Sequence, residues 1–143
     1  MQRMRTTLAG LPIAAVLLAS CANTTSDAYV VENDPGHVEH VDGSDLGRVH
    51  LTPAAVKRLQ IDTTLVRRAG ESLVVRDEAM FVDPDGAWWV YTNPAPGVYV
   101  RHEVSLAGHR GDLALLTSGP KPGTEVVTVG VAELYGIEAE VGH

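Results

Sequence analysis

A single cysteine, Cys21, stands in this 143-residue sequence, so no disulfide can close within the chain and no thiolate cluster is available to a metal. Lysine is nearly missing too. Two of the eleven basic residues are Lys (Lys57 and Lys121), and eighteen acidic residues outweigh all eleven, for a formal net charge of −7. Such a balance argues against nucleic acid and against electrostatic adhesion to anionic lipid. Long apolar runs are lacking: the best, Leu8 to Leu18, is broken by Gly10 and Pro12 and falls short of the roughly 20 residues of a helical membrane span. There is no Gly-x-Ser-x-Gly elbow, no phosphate-binding glycine loop and no His-Glu-x-x-His helix, so we expect a protein that is not an enzyme. Heptads, long amphipathic helices and internal repeats are absent as well.

What is present begins at the amino terminus. Arg3 and Arg5 precede the short apolar core, which ends in small residues, the layout of a secretory signal. The ending, Leu17-Leu18-Ala19-Ser20-Cys21, resembles the lipobox of bacterial lipoproteins. The resemblance implies that residues 1–20 are a signal peptide, that Cys21 is diacylated by palmitate-like chains, and that the mature chain is extracytoplasmic. Its anchor would hold it to the cell membrane, or to the outer membrane of a cell that has one. The alternative is an ordinary signal peptide in which Cys21 falls by chance. Without residues 1–20, nine basic residues face eighteen acidic ones, about −9, on a chain long enough for one modest domain.

Residues 21–46 read as a lipidated, flexible tether, polar and with little core-forming periodicity; the stretch from His37 to Asp45 either continues it or starts the domain. Residues 47–143 form the domain. Gly47 to Leu51 alternates as a strand, then Thr52 and Pro53 supply a cap and a first helical residue for one short helix reaching about Gln60. From Ile61 the pattern is β: Ile61–Val66, Leu73–Val75, Ala79–Val82, Trp88–Thr92, Val98–Leu106, Leu113–Leu116 and Glu125–Val129, punctuated by Gly and Pro. Asp83-Pro84-Asp85-Gly86 has the residue order of a type I turn. Val131 to Tyr135 is expected to add one helical turn. The sum is a mainly β protein, a small antiparallel β-roll or barrel with one short helix. Val75, Met80, Val82, Val90, Val100, Val127 and Val129 are its expected core. Trp88 and Val90 point one way and Trp89 and Tyr91 the other, so alternation does not decide which face is inside.

Two groups of residues carry chemistry. His37, Glu39, His40 and His50, with Asp42 and Asp45 nearby, are imidazoles and carboxylates of the kind that bind Zn²⁺ or Cu²⁺, although the same residues also occur in plain polar tethers. His102 and His109 read as ordinary surface residues. Trp88, Trp89 and Tyr91 form an aromatic cluster that either fills a small core or presents a partner-binding patch. Arg110-Gly111-Asp112 spells the integrin-recognition tripeptide, but Gly between charged residues is also what a hairpin tip wants.

Two stretches resemble the periplasmic adaptor subunits of efflux transporters, also called membrane fusion proteins. Val49-His50-Leu51-Thr52-Pro53 through Arg58-Leu59-Gln60-Ile61-Asp62-Thr63 is similar to the segment that opens many adaptors. Ala79 to Tyr91, Val98 to Leu106, and Gly119 through Gly130 to Ala132-Glu133-Leu134 resemble the strands of the adaptors' membrane-proximal domain. The resemblance spans roughly residues 48–136. It implies a truncated form of that domain, lacking the long helical hairpin and the lipoyl-like domain, with Pro120 where adaptors commonly have Leu. The implied function is that of an accessory module binding a transmembrane transporter, efflux-related, without the conduit-forming role. The rival reading is a metal- or solute-capturing lipoprotein that uses its His-rich tether. The anchor is directly testable: Cys21→Ser should move the mature chain from the membrane into the soluble fraction, and a variant that stays membrane-bound through a carbonate wash would exclude lipidation at this position.

Overall fold

A computed structural model describes residues 35–40, 43 and 46–141. The signal segment, Cys21 and the tether up to Asp34 lie outside the described residues, as do Asp42 and Asp45. The first departure from the sequence reading comes at once. Gly36–His40, placed in the tether, is a strand (β1), paired antiparallel with β2 (Gly47–Leu51) so that His37 lies opposite His50 and Val38 opposite Val49. Val38 is the one sizeable apolar side chain in β1 and packs against the core, which is too weak a signal for periodicity alone to register.

The Thr52-Pro53 signal starts a helix where the sequence puts it. Thr52 Oγ1 accepts a hydrogen bond from the Ala55 N–H (3.2 Å), and Pro53 occupies the first turn of α1 (Pro53–Arg58), where its missing N–H costs nothing. The helix stops through a Schellman arrangement. Ile61 N–H reaches back to the Val56 carbonyl (3.1 Å), Gln60 N–H to the Lys57 carbonyl (3.3 Å), and Gln60 takes the left-handed conformation (φ 54°) usually given to Gly.

Seven more strands and one bend follow: β3 (Asp62–Leu65), β4 (Arg67–Ala69), β5 (Ser72–Arg76), a 3-10 turn (Asp77–Ala79), β6 (Phe81–Val82), β7 (Trp88–Ala95), β8 (Val98–Arg110) and β9 (Leu113–Ser118). β10 (Glu125–Val129) and α2 (Val131–Val141) close the chain. With 55% strand against 19% helix the fold is mainly β, as the sequence implies: a curled antiparallel half-barrel. Its order is β3-β10-β7-β8-β9-β5-β4, and the end strands β3 and β4 are consecutive in the chain, meeting at buried Val66. β8 produces the curl. Its first half pairs with β7, its second half with β9, and register shifts between Ser105 and Gly108 bend it where it changes partner.

The curl leaves the central strands covered on both sides. Val90 and Val126 lie in one core with Val75, Val104 and Leu116; their neighbours Tyr91 and Val127 lie in a second core with Val49, Tyr99 and Leu134. This is why alternation in Trp88–Tyr91 was undecidable: both faces are interior. Of the expected core, Val75, Val90 and Val127 are buried and Met80 and Val100 half-buried, but Val82 and Val129 are exposed. β6 is only two residues long and leaves Val82 partly open, while Val129 follows a register shift after Val127 that turns it outward. The closing helix is also longer than the single turn expected. Val131, Leu134, Tyr135 and Glu138 fall at i, i+3, i+4 and i+7, one inward face. A glutamate in the fourth place and Gly136 in the middle hide that face from a hydrophobicity pattern.

Gly130 joins β10 to α2 with φ 91°, and a Cβ there would meet Ile61 Cδ1. Gly130→Ala should therefore cost about 2–4 kcal/mol, combining left-handed strain with overpacking. Gln60→Gly, which relieves a left-handed non-glycine, should instead gain up to about 1 kcal/mol. Urea unfolding of the two variants would show opposite displacements of the midpoint.

Candidate partner-binding surface

The aromatic cluster is divided by the fold. Tyr91 is fully buried, so it cannot belong to a partner-binding patch; its hydroxyl donates to Glu138 Oε2 (2.6 Å). Burial, and then the adjoining Glu138 carboxylate, push the Tyr91 phenol far above its usual range, so it remains a donor at any physiological pH. Trp88 is half-buried against the first core. Trp89 is half-buried and held: its indole N–H donates to Asp83 Oδ2 (2.8 Å), and the Arg101 guanidinium sits 4.9 Å from its ring centroid. Arg101 in turn donates through Nε to Glu138 Oε1 at 2.9 Å, and the same oxygen accepts the Gly47 backbone N–H at 3.1 Å.

Glu138 is thus a buried carboxylate with three donors, and among the described residues every buried side-chain nitrogen and oxygen has a partner. Sequence reasoning missed both Glu138 and Arg101. The only available signal was the i+7 position of Glu138 on the inward face of α2. At the other end of the chain of contacts, the Asp83 turn forms as expected: Gly86 N–H bonds to the Asp83 carbonyl, and Asp83 Oδ1 accepts from the Asp85 and Ala87 N–H groups. Partial desolvation opposes ionisation of Asp83, but the bonds from Ala87, Trp89 and Asp85 and the charge of Arg101 outweigh it and hold the carboxyl below its ordinary range.

His37, His40 and His50 are divided between the two faces of the β1–β2 ribbon. Alternation places His37, Glu39 and His50 on one face of the β1–β2 ribbon and His40 on the other, opposite Gly47. On the shared face His50 Nε2 is already engaged by Glu39 Oε2 (3.1 Å), which also pairs with Arg48 (3.3 Å). The hydrogen bond to His50, and then the Arg48 charge, lower the Glu39 pKa. The His37 and His50 rings stack at 4.7 Å with planes 2° apart, so their in-plane nitrogen lone pairs run side by side and do not converge on one point. Among the described residues, which do not include Asp42 and Asp45, no group of three or more His, Cys, Asp or Glu side chains is placed to hold a metal ion. His102 and His109 are exposed, the latter 2.8 Å from Asp77. Arg110-Gly111-Asp112 is a hairpin tip, with the Asp112 carboxylate paired to Arg76 at 2.9 Å.

A concavity lies elsewhere. A groove of about 550 Å³ runs beside α1, floored by Leu51, Val56 and Ile61, walled by Pro53 and by Pro96 and Gly97 of the β7–β8 turn, with Lys57 and Asp62 at its rim. The shape is fixed by backbone contacts. Leu51 N–H donates to the Gly97 carbonyl (2.8 Å), and a Cβ on Gly97 would meet the Leu51 carbonyl at 2.5 Å. The helix cap sets the position of Ile61. Every one of its α1-side residues belongs to the segment from Val49 to Thr63. No protein-family model, curated protein or solved structure matches the chain.

Truncating the buried carboxylate, Glu138→Ala, should cost about 3–5 kcal/mol, because Arg101 is left partly buried without its partner. Tyr91→Phe removes one hydrogen bond to a charged group and should cost about 1.5–3 kcal/mol. Asp83 makes a pH-dependent contribution. Its folded pKa is depressed, so its stabilisation is present above the unfolded carboxylate range and is lost as pH falls through the folded value. In thermal melts the gap between the wild type and Asp83→Asn should be constant near neutrality and shrink in acid.

Proposed function

We propose that this chain is a non-enzymatic, lipid-anchored envelope protein that serves as an adaptor-like accessory module, docking on the extracytoplasmic part of an efflux-related membrane transporter. The observation that carries the reading is the groove beside α1: open, mainly apolar, and lined mostly by the same Val49–Thr63 segment that resembles the opening segment of the periplasmic adaptors. An apolar groove with one cation and one anion at its rim suits a short apolar peptide segment with polar flanks, and offers a reacting molecule no positioned nucleophile or base. A lipid on Cys21 would keep the domain at the membrane surface. Confinement to that surface would raise the effective concentration towards a membrane partner, so that weak contacts suffice. Trp89 is clamped between Asp83 and Arg101 and serves the rigidity of the domain; the aromatic contact falls to it only in part, and none of it to Tyr91.

A photo-cross-linking amino acid at Lys57, on the groove rim, should trap a transporter permease in native membranes. Pro96→Asp, an exposed change that puts charge in the groove, should cut that yield about tenfold with an unchanged melting temperature. Cross-links to lipid or cell-wall components alone would rule the adaptor-like role out.

A further inference from the structure

Among the described residues β1 pairs with β2 alone, so its other side is a sheet edge. The bonds at the end of the ribbon show which residues face that edge. Thr52 N–H donates to the Pro35 carbonyl (3.0 Å) and so faces β1, whereas Leu51 N–H turns away to the Gly97 carbonyl (2.8 Å). Backbone groups alternate in direction along a strand. His50 and Arg48 therefore also face β1, and exchange ladder bonds with their register partners His37 and Glu39. Val38 and His40 are left directing N–H and C=O to the outer edge. Such an edge is a template for another strand, and β1 holds no Lys or Pro to blunt it.

The order of residues in β1 fits a second copy of itself. Two copies related by a twofold axis pair antiparallel, and only registers that set outward-facing residues opposite one another complete a ladder. Centring on His37 sets imidazole against imidazole, and centring on Glu39 sets carboxylate against carboxylate. Centring on Val38 overlaps the whole strand and places His37 opposite Glu39 of the second copy, twice, while the two Val38 residues exchange backbone bonds. His37 and Glu39 would then be a closely spaced pair, Cα atoms about 4.5 Å apart, where opposite charges stabilise and like charges do the reverse. The carboxylate has room for it. Arg48 and His50 both contact the same oxygen, Glu39 Oε2, so Oε1 remains to accept from the second copy. On the other face the Val38 side chains meet and extend a face that already packs on the core. Glu39 is the one carboxylate on β1 and β2, beside Arg48, His37, His40 and His50, so the excess acid of the chain is not on these strands.

We propose that two copies of this chain join edge to edge through β1, antiparallel and centred on Val38, with His37 of each copy bonded to Glu39 of the other. The pairing does not depend on the groove beside α1 or on a transporter. Five residues make a small interface, so the test is a covalent trap. Two differently tagged full-length chains, one carrying His37→Cys and the other Glu39→Cys, are coexpressed; both positions are exposed. The unsubstituted chain, whose single cysteine is Cys21, gives the background. The expected result is a disulfide-linked pair of unlike tags. Either variant alone should give nothing above background, because equivalent positions are then diagonal, about 7–8 Å apart, and too far to bridge. The second His37–Glu39 pair stays intact in the mixed dimer and reads the charge. Adding Glu39→Lys to the first chain should lower the yield about fivefold, and adding His37→Glu to the second should restore it. Linkage between like variants, a mixed yield no greater than background, or no response to the charge exchange would each overturn the pairing.

Discussion

The structure depends on where one carboxylate is placed. Glu138 is the one buried charged side chain among the described residues, and its two oxygens collect donors from three separate parts of the chain: Gly47 on β2, Tyr91 on β7 and Arg101 on β8. Burying a carboxylate is expensive unless it is paired and hydrogen-bonded, so the cost is offset only when α2 lies across the sheet in one position and in one rotational setting. Apolar contacts from Leu134 and Ile137 supply area without direction; Glu138 supplies the direction. The interaction also explains the small residue at Gly47, where a Cβ would crowd both Val38 and the Glu138 side chain.

From that point constraints run outward. Arg101, held by Glu138, presents its guanidinium to Trp89; Trp89, so held, reaches Asp83; Asp83 closes the turn that pairs β6 with β7. A path of charge-assisted hydrogen bonds and one cation–π contact thus links the closing helix to a surface hairpin. The same hairpin carries Val82, one of the exposed apolar side chains. Disturbing the carboxylate would therefore be felt at a place that Glu138 itself does not touch.

The half-barrel is a solution to a packing problem set by composition. The chain has one Phe, two Trp and four Tyr, so aromatic side chains are few and a flat sheet with one covered face would bury little. Bending β8 through its bulged middle lets β5 and β9 cover one face of β7 and β10 while α2 and α1 cover the other. Adjacent residues such as Val126 and Val127 are both interior as a result. Of the edges that remain, β4 is short and charged, Arg-Arg-Ala, which discourages pairing with a second sheet.

Sequence by itself determined the features whose cause is local. Thr52-Pro53 caps and opens α1, and the order Asp83-Pro84-Asp85-Gly86 makes its turn, because backbone preference and a side chain two to four residues away suffice. The β succession and the mainly β class were legible for the same reason. Tertiary structure alone decided the rest. Whether Tyr91 faces solvent or a core depends on what lies over each side of β7, and whether Val82 and Val129 are covered depends on a two-residue strand and a register shift. The histidines show the same limit from the other direction: their spacing says nothing of faces, and only the β1–β2 pairing puts His40 on one side and His37 stacked on His50 on the other. Glu138 reads in sequence as solvated surface charge, three residues past the helical turn expected at Val131 to Tyr135. Its donors lie 37 to 91 residues away, and no local pattern carries information about partners at that distance.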